Sequence, residues 1–137
     1  MNVTNQIHPS PDQAKAFFSG EEDGPMCMVN LLKFKEKATY ADGSEPDLSG
    51  RDAYLRYGMG VQACLAAVGG TARFTGFVTD LMLGEVVELW DMVAIAEYPS
   101  RAAMLQMVQS PEYQAITKHR DAGLAGQLNI RTKSFGG

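Results

Sequence analysis

The chain has 137 residues and a formal net charge of −4; 45% of the residues are hydrophobic and 20% are charged. This length suits one ordinary domain, and the composition is typical of a globular protein rather than a disordered one. Because an acidic chain lacks the basic footprint of a nucleic-acid-binding protein, Lys33, Lys35 and Lys37 are interpreted as a solvated strand end, and no nucleic-acid partner is expected.

The cysteines and the N-terminus bear on location. Cys27 and Cys64 lie in apolar segments without CxxC or Cys/His ligand spacing, so they are interpreted as small buried hydrophobes and no metal site is predicted. The first residues lack the basic region and apolar core of a signal peptide. No apolar run approaches the roughly 20 residues that span a bilayer. We therefore expect a cytoplasmic protein without membrane contact.

The first half of the chain predicts an arm, a helix, a strand and a loop. Residues 1–10 are polar and form the arm, and Ser10 before Pro11 is a sound N-cap for a short helix. Residues 26–34 alternate as a strand whose two faces are both mostly apolar. The charged, turn-rich segment 35–50 is predicted to be a surface loop inserted before the next helix.

That next helix opens at Ser49, which forms a capping-box pattern with Asp52, and it ends at Gly69-Gly70. Gly58 and Gly60 interrupt it, each at a cost of about 1 kcal/mol relative to alanine, so they predict close backbone packing or a kink. An apolar stripe at helical spacing marks the buried face: Tyr54, Tyr57, Val61, Leu65 and Val68.

The second half alternates strand and helix patterns. Gly76 is a candidate bulge in the second strand, and residues 80–89 are either a long hairpin arm or a loop with its own strand pairing. Ser100 and Ser110-Pro111 each start a helix. The last strand is polar on one side, which suits a sheet edge. The predicted strands are 71–79, 90–98 and 127–133. One predicted helix covers 101–109, and another starts at 111 and is ended by Gly123 and Gly126.

The order strand–helix–strand–strand–helix–strand predicts a ferredoxin-like α+β fold, with helices on one face of a four-stranded antiparallel sheet and all of 1–137 in a single domain. In strand 90–98, Val93 and Ile95 point one way, whereas Met92 and Ala94 point the other. Because both faces are apolar, the face without helices needs cover. A second copy supplies it, so we expect a homodimer through the sheet faces.

Several sequence blocks resemble the DUF1330 family in order over about residues 10–133. The resemblance implies a dimeric α+β barrel, but this family has no assigned general reaction. Its wider structural relatives include cofactor-free monooxygenases, haem-degrading enzymes, decarboxylases and muconolactone-type isomerases, and fold analogy does not choose among them. The blocks are PMCMVNLLKF at 25–34, GRDAYLRYG at 50–58, Trp90-Asp91, YPSRAA at 98–103, PEY at 111–113 and HRDAGL at 119–124.

Two residues are the candidate catalytic groups. Asn30 interrupts an apolar strand face, so its amide either makes a structural hydrogen bond or lines a pocket between sheet and helices. His119 has a side chain that can act as a general base near neutral pH, or it is a capping or packing residue at a helix end.

Five residues are candidates for substrate binding. Arg120 either holds a ligand carboxylate or pairs with an acidic neighbour such as Asp121 or Glu112. Trp90 and Asp91 either wall a pocket and orient a base, or form an aromatic plug and a carboxylate paired with Lys33. Tyr54 and Tyr113 combine buried rings with hydroxyls that need partners, and they can line a cavity.

Three functions follow from these alternatives: a cofactor-independent enzyme acting on a small organic ligand, a non-catalytic ligand-binding dimer, or a structural dimer. The enzyme requires a cavity where Asn30, His119 and Trp90 converge. The same three residue types occur in haem-degrading relatives, but His119 lies too late in the chain to match their spacing, which argues against axial haem ligation.

Overall fold

The computed structural model describes residues 1–135, which form a four-stranded sheet and four helices. In chain order the elements are α1 (Pro11–Phe18), β1 (Met26–Phe34), α2 (Gly50–Ala67), β2 (Thr71–Phe77), β3 (Met92–Tyr98), α3 (Arg101–Gln109), α4 (Pro111–Gly123) and β4 (Leu124–Thr132). The strand order is β2-β3-β1-β4 and every pairing is antiparallel. The ferredoxin-like α+β prediction is therefore confirmed, with β4 at a sheet edge.

Serine caps determine where the helices begin. The hydroxyls of Ser10, Ser49, Ser100 and Ser110 each accept a hydrogen bond from the backbone N–H three residues later, which satisfies one of the free donors of a first helical turn. The longest helix, α2, has 18 residues. Across residues 1–135 we find no helix that combines the length and apolar character needed to cross a membrane.

Four predicted details differ from the structure. The strand predicted at 90–98 begins only at Met92, since the backbone N–H of Asp91 bonds the carbonyl of Leu32 at the end of the ladder. The strand predicted at 71–79 ends at Phe77, and its irregularity falls between Ala72 and Phe74, not at Gly76.

At the other edge, β4 begins at Leu124 rather than Gln127, because Leu124 already pairs with Phe34 directly after α4. Residues 78–91 form a loop to which no strand is assigned, so both alternatives for 80–89, a hairpin arm and a loop with its own strand pairing, are wrong. Several of its apolar side chains are exposed, including Met82, Leu83 and Val87.

The two main helices approach each other closely at one point. A Cβ on Gly50 would lie 2.7 Å from the carbonyl oxygen of Gly123, and a Cβ on Gly123 would lie 2.4 Å from that of Gly50. Further along α2, a Cβ on Gly60 would meet the Ile116 side chain at 3.0 Å, as close packing predicts. At Gly58 the close-packing alternative is wrong, because nothing lies within 4 Å of a Cβ there, and a kink stays a prediction.

The sheet has one covered face and one uncovered face. Met28, Leu32 and Met92 lie on the helix side and belong to the buried clusters. Register pairs such as Val29↔Ile95 place a second apolar set on the opposite side. None of this set belongs to a core cluster of the described chain. We call this set the open face: Val29, Leu31, Phe74, Val93, Ile95, Leu128 and Ile130.

Candidate functional site

A cavity of about 660 Å³ lies between the helix side of the sheet and the helices. Most of its wall is apolar, from residues such as Met28, Met92, Ala94 and Leu65. Gly58 also lines it, which explains the open space beside that residue. The volume falls in the range of small-molecule sites in proteins. The polar side chains that interrupt the wall include Asn30, Tyr54, Tyr57, Tyr113, Arg120, Gln127 and Asn129, with His8 and Asp121.

A chain of hydrogen bonds crosses one side of the cavity. The amide of Asn30 donates to the carbonyl of Ala94 at 3.1 Å, and its oxygen accepts from Gln127 Nε2 at 2.7 Å. Gln127 Oε1 in turn accepts from Arg120 Nη2 at 2.6 Å. Strand register explains this grouping, since Asn30 is opposite Asn129 and Leu32 is opposite Gln127, so all of them share the helix-facing side.

Arg120 extends this chain to the N-terminal arm. Its side chain is only 13% exposed; Nη2 also donates to the carbonyl of Ile7, and Nη1 donates to Asp121 Oδ1 at 3.2 Å. The same Asp121 oxygen lies 3.1 Å from Nε2 of His8. The arm is further attached by the backbone N–H of Gln6, which donates to the carbonyl of Gln127. One buried cation therefore connects the cavity wall to the arm.

Under the arm lies an adjoining cavity of about 350 Å³. It shares His8, Arg120, Gln127 and Asn129 with the larger one. Residues of the arm therefore line both spaces and belong to the site.

Three tyrosines form another part of the wall. The hydroxyls of Tyr57 on α2 and Tyr113 on α4 lie 2.9 Å apart. The ring of Tyr54 packs 5.3 Å from that of Tyr57. Burial raises the pKa of both the Tyr54 and Tyr57 hydroxyls, so these groups stay protonated at neutral pH. A hydroxyl pair places only one hydrogen between its two oxygens, so the second hydrogen is available to a ligand.

Of the seven site residues predicted from sequence, four line this cavity: Asn30, Tyr54, Tyr113 and Arg120. Trp90, Asp91 and His119 do not line it. Asp91 accepts from the backbone N–H of Phe34 at 2.8 Å and pairs with Lys33 at 3.3 Å. Asp91 is therefore a strand-end carboxylate paired with Lys33, as the second of the two interpretations predicts.

His119 points to a different part of the molecule. Its Nδ1 lies 2.7 Å from the hydroxyl of Tyr40, in the loop between β1 and α2. Burial, followed by the charges of Lys118 and Arg56, lowers the pKa of His119. A catalytic role for His119 stays a prediction, and the structure does not bring it to Asn30 or Trp90.

Sequence reasoning missed Gln127 and His8 as site residues, and it explained Tyr57 by the buried stripe of its helix. The signal for Gln127 was present, because Gln127, Asn129 and Arg131 alternate on the strand face that Asn30 shares. His8 was overlooked because it lies in an arm without pattern. In the part of the chain that the structure describes, no group of three or more His, Cys, Asp or Glu side chains gathers as metal ligands.

Solved structures share this architecture. A protein of unknown function from Rhodopseudomonas palustris, RPA0582, matches with a TM-score of 0.86 and 32% identity over 98% of this chain and 100% of its own. A dimeric protein of unknown function from Bacteroides fragilis with a ferredoxin-like fold matches with a TM-score of 0.53 and 13% identity, over 81% and 97% of the two chains. A dabb family protein from Mesorhizobium loti gives 0.50 and 15%, over 82% and 99%. The last two likenesses show the fold alone.

The sheet order, the helices on one face and these likenesses define a ferredoxin-like α+β protein, with a largely apolar cavity between sheet and helices. The chain belongs to the DUF1330 family, a domain of unknown function, whose family model matches residues 38–132. The resemblance drawn from the sequence blocks is confirmed, although the block at 25–34 precedes the matched segment. No curated protein sequence matches the chain.

Proposed function

We propose that the protein is a homodimer that binds a compact organic acid in the cavity between its sheet and helices. The observation that carries this proposal is the side chain of Arg120, a mostly buried cation on the wall of a largely apolar cavity of about 660 Å³. A buried charge is costly unless it is paired. Among the described residues its carboxylate partner is Asp121, which is 41% exposed and neutralises it only in part.

The donors of the cavity favour a ligand with a carboxylate or carbonyl oxygen. A guanidinium carries five N–H donors, and among the described residues Arg120 uses three of them, on Asp121, Gln127 and the carbonyl of Ile7. The remaining donors and the hydroxyl pair of Tyr57 and Tyr113 can bond oxygen atoms of a ligand. The apolar wall covers its carbon body.

A thermal-shift and calorimetry screen tests the binding proposal. Small carboxylic acids with apolar bodies are compared with the corresponding neutral amides, on wild type and on Arg120→Gln. We expect acids to raise Tm in wild type and to bind roughly 10- to 100-fold more weakly to Arg120→Gln, since a charge-assisted hydrogen bond contributes about 1.5–3 kcal/mol.

The matched control is Arg56→Gln, which also breaks an arginine–carboxylate pair, with Glu45, but lies outside the cavity lining. Its affinity for acids should equal that of wild type. The proposal would be refuted if wild type bound acids and amides equally well, or if Arg120→Gln and Arg56→Gln lost the same affinity for acids.

The homodimer part of the proposal is supported by the open face. Phe74 and Ile130 on that face are 56% and 44% exposed, and the half-buried Val29 and Ile95 lie between them. Contiguous apolar patches of this kind mark interfaces. A second copy with the same face satisfies the two-fold symmetry of most dimers.

Light scattering on Val29→Glu tests the dimer, with Val3→Glu on the exposed arm as the control. We expect the first variant to be monomeric and the second to remain dimeric. A monomeric wild type would refute this part of the proposal. The cytoplasmic location stays a prediction.

A further inference from the structure

We propose that His8 of the N-terminal arm is a proton carrier for the bound ligand, and that the cavity therefore catalyses proton transfer at the carbon next to a carbonyl group. This inference rests on the proposed function, because it needs an acid bound in the cavity. It extends that function from binding to turnover and names the substrate class as compact oxo acids.

The position of His8 supports this role. His8 lines both the larger cavity and the adjoining one under the arm, and its Nε2 lies 3.1 Å from Asp121 Oδ1. An imidazole that donates from Nε2 to a carboxylate keeps its lone pair on Nδ1, and that nitrogen is the base. The side chain is 59% exposed, so a proton taken from the ligand can pass to water.

Asp121 is the positioning residue of this pair. It is bonded by Arg120, whose own position is determined by Gln127 on the sheet. The arm carrying His8 is attached to the same arginine through the carbonyl of Ile7. The arm that carries His8 is therefore connected to the sheet through the guanidinium of Arg120 and through the backbone bond of Gln6 to Gln127, and these contacts hold the histidine beside the cavity, where a general base must lie within reach of the proton it takes.

The reaction uses no cofactor. Nδ1 of His8 takes a proton from the carbon beside the carbonyl, the C–H electron pair becomes a C=C bond, and the carbonyl π pair moves onto oxygen as an enolate. The hydroxyl pair of Tyr57 and Tyr113 can donate a hydrogen bond to that oxygen, because a neutral donor stabilises charge that develops there. The imidazolium then returns a proton to carbon.

Deuterium exchange tests the step directly. The probes are phenylpyruvate, α-ketobutyrate and α-ketoisocaproate in D₂O, and NMR follows the loss of the signal of the proton beside the carbonyl. Wild type should exchange this proton faster than buffer does. His8→Gln should exchange it about 100-fold more slowly, the typical size of general-base catalysis, while its Tm still rises with the probe as in wild type.

Two further variants make the result decisive. Asp121→Asn should lower the exchange rate at saturating probe about tenfold, while the probe binds at least as tightly as to wild type, because Arg120 then lacks its carboxylate partner. His119→Gln tests the rival histidine, which is bonded to Tyr40.

Exchange lost in His8→Gln alone, with Asp121→Asn impaired as described, supports the proposal. The proposal is overturned if deuterium exchange is lost in His119→Gln alone, or lost equally in both histidine variants. It is also overturned if His8→Gln exchanges the proton as fast as wild type, or if wild type binds a probe without exchanging its proton. In that last case the binding proposal stands. If no acid binds at all, the proposed function fails first and this inference fails with it.

Discussion

Gln127 on β4 donates a hydrogen bond of 2.7 Å to the side-chain oxygen of Asn30 on β1, across the helix-facing side of the sheet. Gln127 is 9% exposed, so its amide has little access to water. Each of these two amides therefore depends on the other for one of its hydrogen bonds away from water. The pair connects the middle of the sheet to Arg120 and, through it, to the arm.

Removing one amide should lower the free energy of unfolding by more than the net contribution of the hydrogen bond itself, because the other amide is left without a partner. We expect Asn30→Leu to lower the free energy of unfolding by about 1–3 kcal/mol, because the buried Nε2 of Gln127 then lacks a partner. The double variant Asn30→Leu/Gln127→Leu should lose about 1 kcal/mol less than the sum of the two single variants. Urea denaturation measures all three.

The control for that cycle is Asn129→Leu, an exposed amide on the same strand face. It should change stability by less than about 0.5 kcal/mol. Strict additivity of Asn30→Leu and Gln127→Leu would mean that the two amides do not depend on each other.

The raised pKa of Tyr57 predicts a loss of stability at alkaline pH. Burial, followed by Tyr113 and Tyr54, holds the folded pKa well above the ordinary value of 10.0. The unfolded chain releases this proton more readily, so stability is fully present below pH 10 and falls as pH rises above it. Unfolding curves between pH 8 and pH 11 should show a shallower fall for Tyr57→Phe than for wild type. Parallel curves would show that Tyr57 titrates normally.

The lowered pKa of His119 predicts a loss of stability at acidic pH. Its folded pKa lies below the ordinary value of 6.5, chiefly through burial. The unfolded chain therefore binds a proton first, and the contribution of the neutral imidazole is present above pH 6.5 and is lost as pH falls through the folded pKa. Stability measured from pH 8 to pH 5 should decline less in His119→Gln than in wild type. An NMR titration of His119 that gives a pKa above 6.5 would contradict the prediction.

The two helical glycines should respond in opposite directions to alanine. Gly58→Ala should raise the free energy of unfolding by about 0.5–1 kcal/mol, because alanine favours the helix and its Cβ meets open space. Gly60→Ala should lower it, because its Cβ would contact the Ile116 side chain at 3.0 Å. The Gly58 methyl also enters the cavity, so acid affinity should fall in that variant alone. Equal effects at the two positions would contradict this assignment.

The fold was accessible from sequence because its signals are local. Ser10-Pro11, Ser49 and Ser110-Pro111 start helices through short-range caps, and alternation in 26–34 gave the bounds of β1. The strand ends were less accessible. β4 starts at Leu124 because of a tertiary pairing with Phe34, and no local pattern records that pairing.

The site was only partly accessible for the same reason. Asn30 is conspicuous because it is polar in an apolar strand, and its cavity is where a pocket between sheet and helices was expected. His119 drew attention as the histidine in a patterned helix, yet its neighbour is Tyr40, from a loop whose path the sequence does not specify. His8 is brought to the cavity by Arg120 and Asp121, which lie more than a hundred residues further along the chain.

The strand order has a consequence for synthesis of the protein. β1 is the first strand to leave the ribosome, but its two neighbours in the sheet, β3 and β4, are the last two made. Its two edges therefore stay without partners until almost the whole chain is available, and pairing across such a long separation is slow. During translation the apolar strand β1 therefore stays unpaired on at least one edge until β4 is made. A chain that stops short of residue 124 is a candidate for chaperone capture.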